Sequence, residues 1–145
     1  MKCKIEYCKS LLTKVTWLPP LLARITVGVV FIESGWGKLH NLERVIGYFS
    51  ELGIPFPTIQ APMVAAIEFG AGIFLLIGIT TRLVTAPLIA IMAVAIVTAK
   101  AADITTVTDI FAISEFLYII LLLWLAVNGP GKISLDHYIF KKWRP

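Results

Sequence analysis

Four long apolar segments, separated by short polar connections, make up most of this 145-residue chain. Each holds about 20 residues, the length that a helix needs to cross a hydrocarbon core of roughly 30 Å. The pattern therefore predicts an all-α membrane protein: a four-transmembrane-helix bundle that forms a single domain over residues 1–145. The predicted spans are residues 18–37, 62–79, 83–101 and 109–127.

Two shorter segments between and after the spans have amphipathic patterns. Between Asn41 and Gly53 an apolar stripe recurs at helical spacing, which predicts a short helix over the outer mouth of the bundle. The alternative for this loop is an ordinary solvated connection. Beyond the fourth span, Gly129 and Pro130 stop the helix, and Ser134 is placed to cap a short interfacial helix near the C-terminus.

Composition and charge agree with a location in the lipid bilayer. The chain is 58% hydrophobic and only 15% charged, which excludes an ordinary soluble domain and makes nucleic acid a poor partner. The two tails and the second loop carry nine Lys and Arg residues, whereas the other two loops carry three. By the positive-inside rule both termini should be cytoplasmic, with anionic lipid beside them.

Three glutamates, Glu33, Glu68 and Glu115, lie within the predicted spans. The predicted orientations place all three about 6 to 9 Å below the outer end of their helices, at 1.5 Å per residue. A carboxylate in hydrocarbon is costly unless it is paired, protonated or in water, so such residues indicate a functional site. We expect the three to converge in one polar site in the outer leaflet.

Cations lie just above the level of these acids. Lys38 and His40 follow the first span and Lys100 ends the third, so the helices could line an outward-opening vestibule. Trp36 and His40 share a helical face with Glu33 if the first helix continues that far. The structural alternative is that the acids only bond neighbouring helices together. No His-x-x-Glu or Glu-x-x-His pair is present, so no metal site is predicted.

Arg24 and two cysteines stand apart from this group. Arg24 lies near the cytoplasmic end of the first span, where it could bond loop carbonyls, reach the headgroups or bind an anion or a quinone. Cys3 and Cys8 fall in the predicted cytoplasmic tail, and their spacing is not that of a dithiol redox motif. They are interpreted as free thiols in a reducing compartment.

An ordered set of short motifs resembles the DoxX family over nearly the whole chain. The motifs are Arg24-x-x-x-Gly28, Ser34-Gly35-Trp36-Gly37-Lys38-Leu39, Gly53-Ile54-Pro55-Phe56-Pro57, Glu68 before Gly72, Gly78-x-x-Thr81-Arg82, and the run GPGKISLD at 129–136. The resemblance implies a multi-pass protein of the bacterial inner membrane with four helices. It also implies a link to thiosulfate:quinone oxidoreductase or quinol-oxidase subunits, or to quinone and thiol stress.

Two functions from different classes follow. In the first, the chain is an accessory or quinone-linked component of a membrane redox system, with an oxidoreductase partner. Lys38, His40 or Arg24 would bond the quinone carbonyls, and a glutamate would relay protons. In the second, it is a non-enzymatic membrane protein, either a partner-binding subunit or a small proton- or cation-coupled carrier. A homo-oligomer is a possible assembly. The sequence alone does not decide whether the isolated chain is a catalyst.

The distribution of cations generates a topology prediction. A cysteine introduced at Glu51 should react with a membrane-impermeant thiol reagent applied to intact cells, because the first loop is predicted to be external. A cysteine added at the C-terminus should react only after the cells are opened. Labelling of the C-terminal cysteine in intact cells would contradict the predicted orientation.

Overall fold

The computed structural model describes Thr13 and residues 15–142, and its regular secondary structure in that part of the chain is entirely helical. The two cysteines of the N-terminal tail lie outside the described residues. The helices are α1 (Leu18–His40), α2 (Leu42–Glu51), α3 (Pro57–Ile77), α4 (Thr81–Ala99), α5 (Val107–Ala112), α6 (Ser114–Asn128) and α7 (Leu135–Lys142), with a 3₁₀ turn at Ala101–Asp103.

Helices α1, α3 and α4 are long and apolar enough to cross a membrane, and α6 is a shorter apolar helix of 15 residues. The predicted all-helical fold, with a helix in the first loop and another near the C-terminus, is confirmed. Helix α2 has the amphipathic character expected of it. Ahead of α7, Ser134 Oγ accepts a hydrogen bond of 3.1 Å from the backbone N–H of His137, so the predicted cap is present.

The fourth predicted span differs from its expected form because it is divided into α5 and α6. Thr106 and Asp109 form a capping box, in which each side chain bonds the other residue's backbone N–H, and this fixes the start of α5 at Val107. Ile113 is extended and separates the two helices. As a result, Glu115 lies in the first turn of α6, at the positive end of that helix dipole.

Helices α1 and α3 form the closest pair in the bundle because glycines remove side chains from their interface. A Cβ added at Gly35 would meet the backbone nitrogen of Phe69 at 2.5 Å, and one at Gly72 would meet the nitrogen of Ile32 at 2.8 Å. Small residues at such positions let two membrane helices approach until their backbones touch. Gly28 makes a similar close approach to α3, so the contact extends along much of α1.

A buried apolar core joins this pair to α4 and α6. Val27 and Phe31 of α1 pack with Leu75 of α3 and with apolar residues of the other two helices. The remaining fully buried members are Leu88 on α4 and Leu122 and Leu125 on α6. This core lies between Arg24 and Lys38 along α1, and the cavity described below begins at Phe31 and extends toward the end covered by α2.

Arg24 fastens the C-terminal segment to the base of the bundle. Its side chain is only 2% exposed, and its Nη atoms donate to the carbonyls of Pro130 at 3.0 Å and Ile133 at 2.7 Å. The sequence left several partners open for Arg24: loop carbonyls, lipid headgroups, or a bound anion or quinone. The structure shows loop carbonyls. A Cβ on Gly78 would collide with this guanidinium and lie 2.8 Å from Ser134 Cβ, and its φ of +78° also favours glycine.

Asp136, in the same C-terminal segment, holds that segment to the start of α4. Its carboxylate accepts hydrogen bonds from the backbone N–H groups of Thr80, at 2.8 Å, and Thr81, at 3.1 Å. Its own N–H donates to the Gly78 carbonyl at 3.0 Å. An acid at this position satisfies the free N–H groups of the helix and interacts favourably with its dipole. The motifs around Arg24, Gly78 and Asp136 therefore form one structural unit.

Replacing Arg24 should destabilise the folded bundle strongly. In Arg24→Met two carbonyls lose charge-assisted bonds, so we expect a loss of about 2 to 4 kcal/mol of unfolding free energy. Arg82→Met is the matched control, because Arg82 is exposed and donates to the Val127 carbonyl at 3.1 Å from the surface. Unfolding in a denaturing detergent titration measures both variants. Equal losses would show that Arg24 does not fasten the C-terminal segment.

Candidate functional site

A buried carboxylate, Glu68, forms the centre of the polar site. Its side chain has no exposure and lies on α3, where it accepts two bonds from Lys38 Nζ, at 2.5 Å to Oε1 and 2.6 Å to Oε2. Ser34 Oγ donates a third bond of 2.9 Å to Oε2. Both partners come from α1. A short bidentate ion pair with an added hydroxyl is the arrangement that a buried acid needs to remain charged.

The helical phase of α1 explains why Ser34 and Lys38 reach Glu68. The buried face of this helix runs through Val27 and Phe31, and residues spaced by three or four positions share it. Ser34 and Lys38 continue that series, at three and seven residues after Phe31. Glu33 is one residue out of phase, which turns it about 100° around the helix.

The Glu68 cluster forms part of the wall of a cavity of about 520 Å³. The cavity lies between α1, α3, α4 and α6, and α2 covers its end with Tyr48 and Phe49. Most of its surface is apolar, as in pockets that enclose small organic molecules and orient them with a few polar groups. The volume falls in the range of roughly 300 to 1,000 Å³ that is usual for such pockets.

Four of the predicted site residues line this cavity. Besides Glu68 and Lys38 they are Glu115, which is half-buried and accepts a bond of 3.0 Å from Ser114, and Lys100. Lys100 also forms a loose ion pair of 3.6 Å with Asp103. The structure thus brings together the acids of α3 and α6 and the cations that end α1 and α4.

Glu33 is not brought into the cavity. It is exposed and lines a second, more open pocket on the outside of α1, together with Gly37 and Asn41. Lys38 also lines that pocket. The three carboxylates therefore do not share one chamber, because the close α1–α3 contact turns Ser34 rather than Glu33 toward Glu68.

The remaining predicted site residues lie away from the cavity. Trp36 and His40 do share a face of α1 with Glu33, since α1 continues to residue 40, but that face points outward. Their rings stack with centroids 4.0 Å apart, and His40 Nδ1 lies 3.0 Å from the Trp36 carbonyl. Arg24 lines neither pocket, being held at the opposite end of the bundle. Among the described residues no cluster of His, Cys, Asp and Glu is suited to a metal ion.

Sequence reasoning missed several residues of the cavity. In the sequence Ser34 belongs only to a family motif, although its spacing of three residues from Phe31 indicates that it faces the interior. Arg44 and Tyr48 of α2 and Tyr118 of α6 also line the cavity. The ring of Tyr118 also approaches Phe31, with centroids 6.1 Å apart. The apolar stripe between Asn41 and Gly53 contributes Val45, Phe49 and Leu52 to the cavity wall, but it gives no signal for Arg44 or Tyr48.

Taken together, these features define a small multi-helix membrane protein with a polar cluster in an apolar cavity. The DoxX family model matches residues 20–101. The chain belongs to the DoxX family. No solved structure matches it at a significant level.

Several curated relatives match along most of their length. "Putative oxidoreductase CatD" of Bacillus subtilis is 31% identical over 123 residues, covering 83% of this chain and 87% of the relative. "Inner membrane protein YqjF" of Escherichia coli is 31% identical over 129 residues, covering 85% and 93%. "Uncharacterized membrane protein Rv3486" of Mycobacterium tuberculosis is 31% identical over 143 residues, covering 86% and 84%. These matches agree with a membrane location.

The geometry predicts strong coupling between Lys38 and Glu68. Lys38→Met should cost about 3 to 5 kcal/mol because it leaves a buried carboxylate without its counter-charge, whereas the double variant with Glu68→Gln should recover much of that loss. A double-mutant cycle on unfolding free energy measures the coupling. The pair Lys100 and Asp103 is the control, since exposed pairs couple by less than about 1 kcal/mol. Equal coupling in both cycles would contradict this account.

Proposed function

We propose that this protein is a quinone-linked accessory component of a membrane redox system, and that its cavity holds the headgroup of a quinone. The observation that supports this most directly is the Lys38, Glu68 and Ser34 cluster in the wall of an otherwise apolar cavity of about 520 Å³. A quinone has the same combination of properties, an apolar ring system with two carbonyl oxygens.

The cluster has donors and an acceptor suited to both redox forms of such a ring. The ammonium of Lys38 can donate to a quinone carbonyl, and the carboxylate of Glu68 can accept from a quinol hydroxyl. Because the two groups are already in contact, either can bond a ligand oxygen without bringing a new charge into the apolar interior. Glu115 and Tyr118, on the opposite wall, could hold the second oxygen of the ring.

The relatives support the redox part of this proposal only through one name. The Bacillus subtilis relative carries the word oxidoreductase, and this chain covers 87% of it. We place the protein in the bacterial inner membrane with both termini in the cytoplasm, in accord with the name of the Escherichia coli relative and the distribution of cations. In that orientation the cavity opens toward the outer leaflet.

A binding titration tests the proposal. Protein purified in detergent would be titrated with a short-chain quinone such as ubiquinone-1 or menadione, and binding followed by calorimetry. We expect saturable binding that weakens about tenfold in the double variant Lys38→Met with Glu68→Gln, the equivalent of one lost hydrogen bond of about 1.4 kcal/mol. Glu33→Gln, which changes an exposed acid outside the cavity, should bind as the unaltered protein does.

A cavity-filling pair of variants locates the bound quinone. Ala95 lines the cavity, whereas Ala93 lies two residues away on the exposed face of α4. Ala95→Phe should abolish saturable binding by occupying the space, and Ala93→Phe should leave it intact. Quinone that partitions equally into all these variants would be dissolved in the detergent, and this outcome would overturn the proposed function.

A further inference from the structure

The polar cluster lies at the boundary between two pockets. The inner cavity contains Glu68, and the outer pocket contains Glu33, Gly37 and Asn41. Both are lined by Lys38, and they also share Val30, Ser34, Arg44 and Val45. The two spaces therefore adjoin each other where α1 and α2 meet.

Lys38 is the residue that separates these spaces. Its side chain is 27% exposed, whereas Glu68, which it contacts, has no exposure at all. One flexible side chain thus lines both pockets, is partly exposed, and has its ammonium on the buried acid. A lysine stem can change rotamer and take its charge to nearby water, as lysines at membrane interfaces do.

We propose that Lys38 closes a side portal through which water and protons of the outer pocket reach Glu68. The portal runs between α1 and α2, from Glu33 past Lys38 and Ser34. It is distinct from the apolar cavity that our proposed function assigns to a quinone, and it deepens that function by supplying the site with protons. An apolar ligand would fill the cavity and leave the portal to water.

The charged residues of the two pockets agree with a polar portal beside a separate apolar cavity. Glu33 and Asn41 line the outer pocket and not the inner cavity, so the more open side has polar groups of its own. On the inner side Glu68 is faced by Lys38, Arg44, Lys100 and Glu115. When Lys38 gives a proton to Glu68, an ammonium and a carboxylate become an amine and a carboxylic acid, so net charge does not change. The amine then takes a proton from a hydronium ion in the outer pocket, which leaves water there, and the pair has gained one proton and one positive charge.

Thiol labelling of the ligand-free protein tests the portal. In a background with Cys3 and Cys8 replaced by serine, Ser34→Cys places a thiol between the two pockets. Reaction with a positively charged methanethiosulfonate in lipid nanodiscs reports whether water reaches that thiol, since only the hydrated thiolate reacts. We expect slow modification with Lys38 present and at least tenfold faster modification when Lys38→Ala is added.

Folding of the variants is controlled in two ways. The charge left on Glu68 by Lys38→Ala can be removed with Glu68→Gln, and the same tenfold gain is expected in that neutral background. Ala65, which is fully buried on α3, provides a second reporter. Ala65→Cys should stay unreactive in both backgrounds, and its modification would identify unfolding as the cause of the faster reaction.

A glycine pair identifies the route. A Cβ at Gly37 has no atom within 4 Å and would extend into the outer pocket, and Gly47 on α2 is equally open but lines neither pocket. Gly37→Phe should cancel most of the gain caused by Lys38→Ala, while Gly47→Phe should not.

Two outcomes would overturn the portal. One is equal labelling of Ser34→Cys with and without Lys38, and the other is equal effects of the two glycine variants. Because no ligand is present, either result is independent of the quinone titration. Conversely, a portal found in a protein that fails to bind quinone would overturn the proposed function alone.

Discussion

The constraint on which the rest of the structure depends is the free-energy cost of burying the carboxylate of Glu68 inside an apolar bundle. A carboxylate without partners would be unstable there by several kcal/mol. Lys38 and Ser34 satisfy it, and both must come from α1 at the correct height. The glycine contacts between α1 and α3 set that height and bring the two backbones close enough for a hydroxyl on a short serine side chain to reach the acid.

At the opposite end of the bundle the buried charge is a cation, Arg24, rather than a carboxylate. The two Nη atoms of Arg24 donate to backbone carbonyls of the segment after α6, while its buried Nε has no partner among the described residues. Asp136 of the same segment accepts bonds from the N–H groups at the start of α4. One end of the bundle is thereby fastened by polar contacts, and the apolar core lies beside it. The Glu68 end has no such fastening across all four helices, and the cavity opens there. The polar contacts of Arg24 and the cavity beside Glu68 thus lie at opposite ends of the bundle.

The architecture was predictable from the sequence because hydrophobic length and period determine which segments are helices in a membrane. The apolar runs, the stripe between Asn41 and Gly53, and the cap at Ser134 all act locally. The division of the fourth span was not predicted, since an apolar run of 19 residues is typical of one helix. The capping box at Thr106 marks only the start of α5, and the break between the two helices lies at Ile113.

The site was predicted only in part, for a geometric reason. Depth along a helix follows from residue count, which predicts a similar level for Glu68, Glu115, Lys38 and Lys100, and in the structure all four line one cavity. Direction around a helix requires knowledge of the partner helix. Ser34 and Glu33 differ by one residue and about 100°, and only the closeness of α3 at Gly35 decides which of them faces Glu68.

That one-residue difference also gives α1 two separate polar faces. Glu33 and Gly37 line only the outer pocket and Glu68 only the inner cavity, whereas Ser34 and Lys38 line both. Of these two, Lys38 has the long side chain, which is 27% exposed while its ammonium bonds Glu68. The length and flexibility of lysine therefore let a residue of α1 connect the buried acid of α3 to the surface of the bundle.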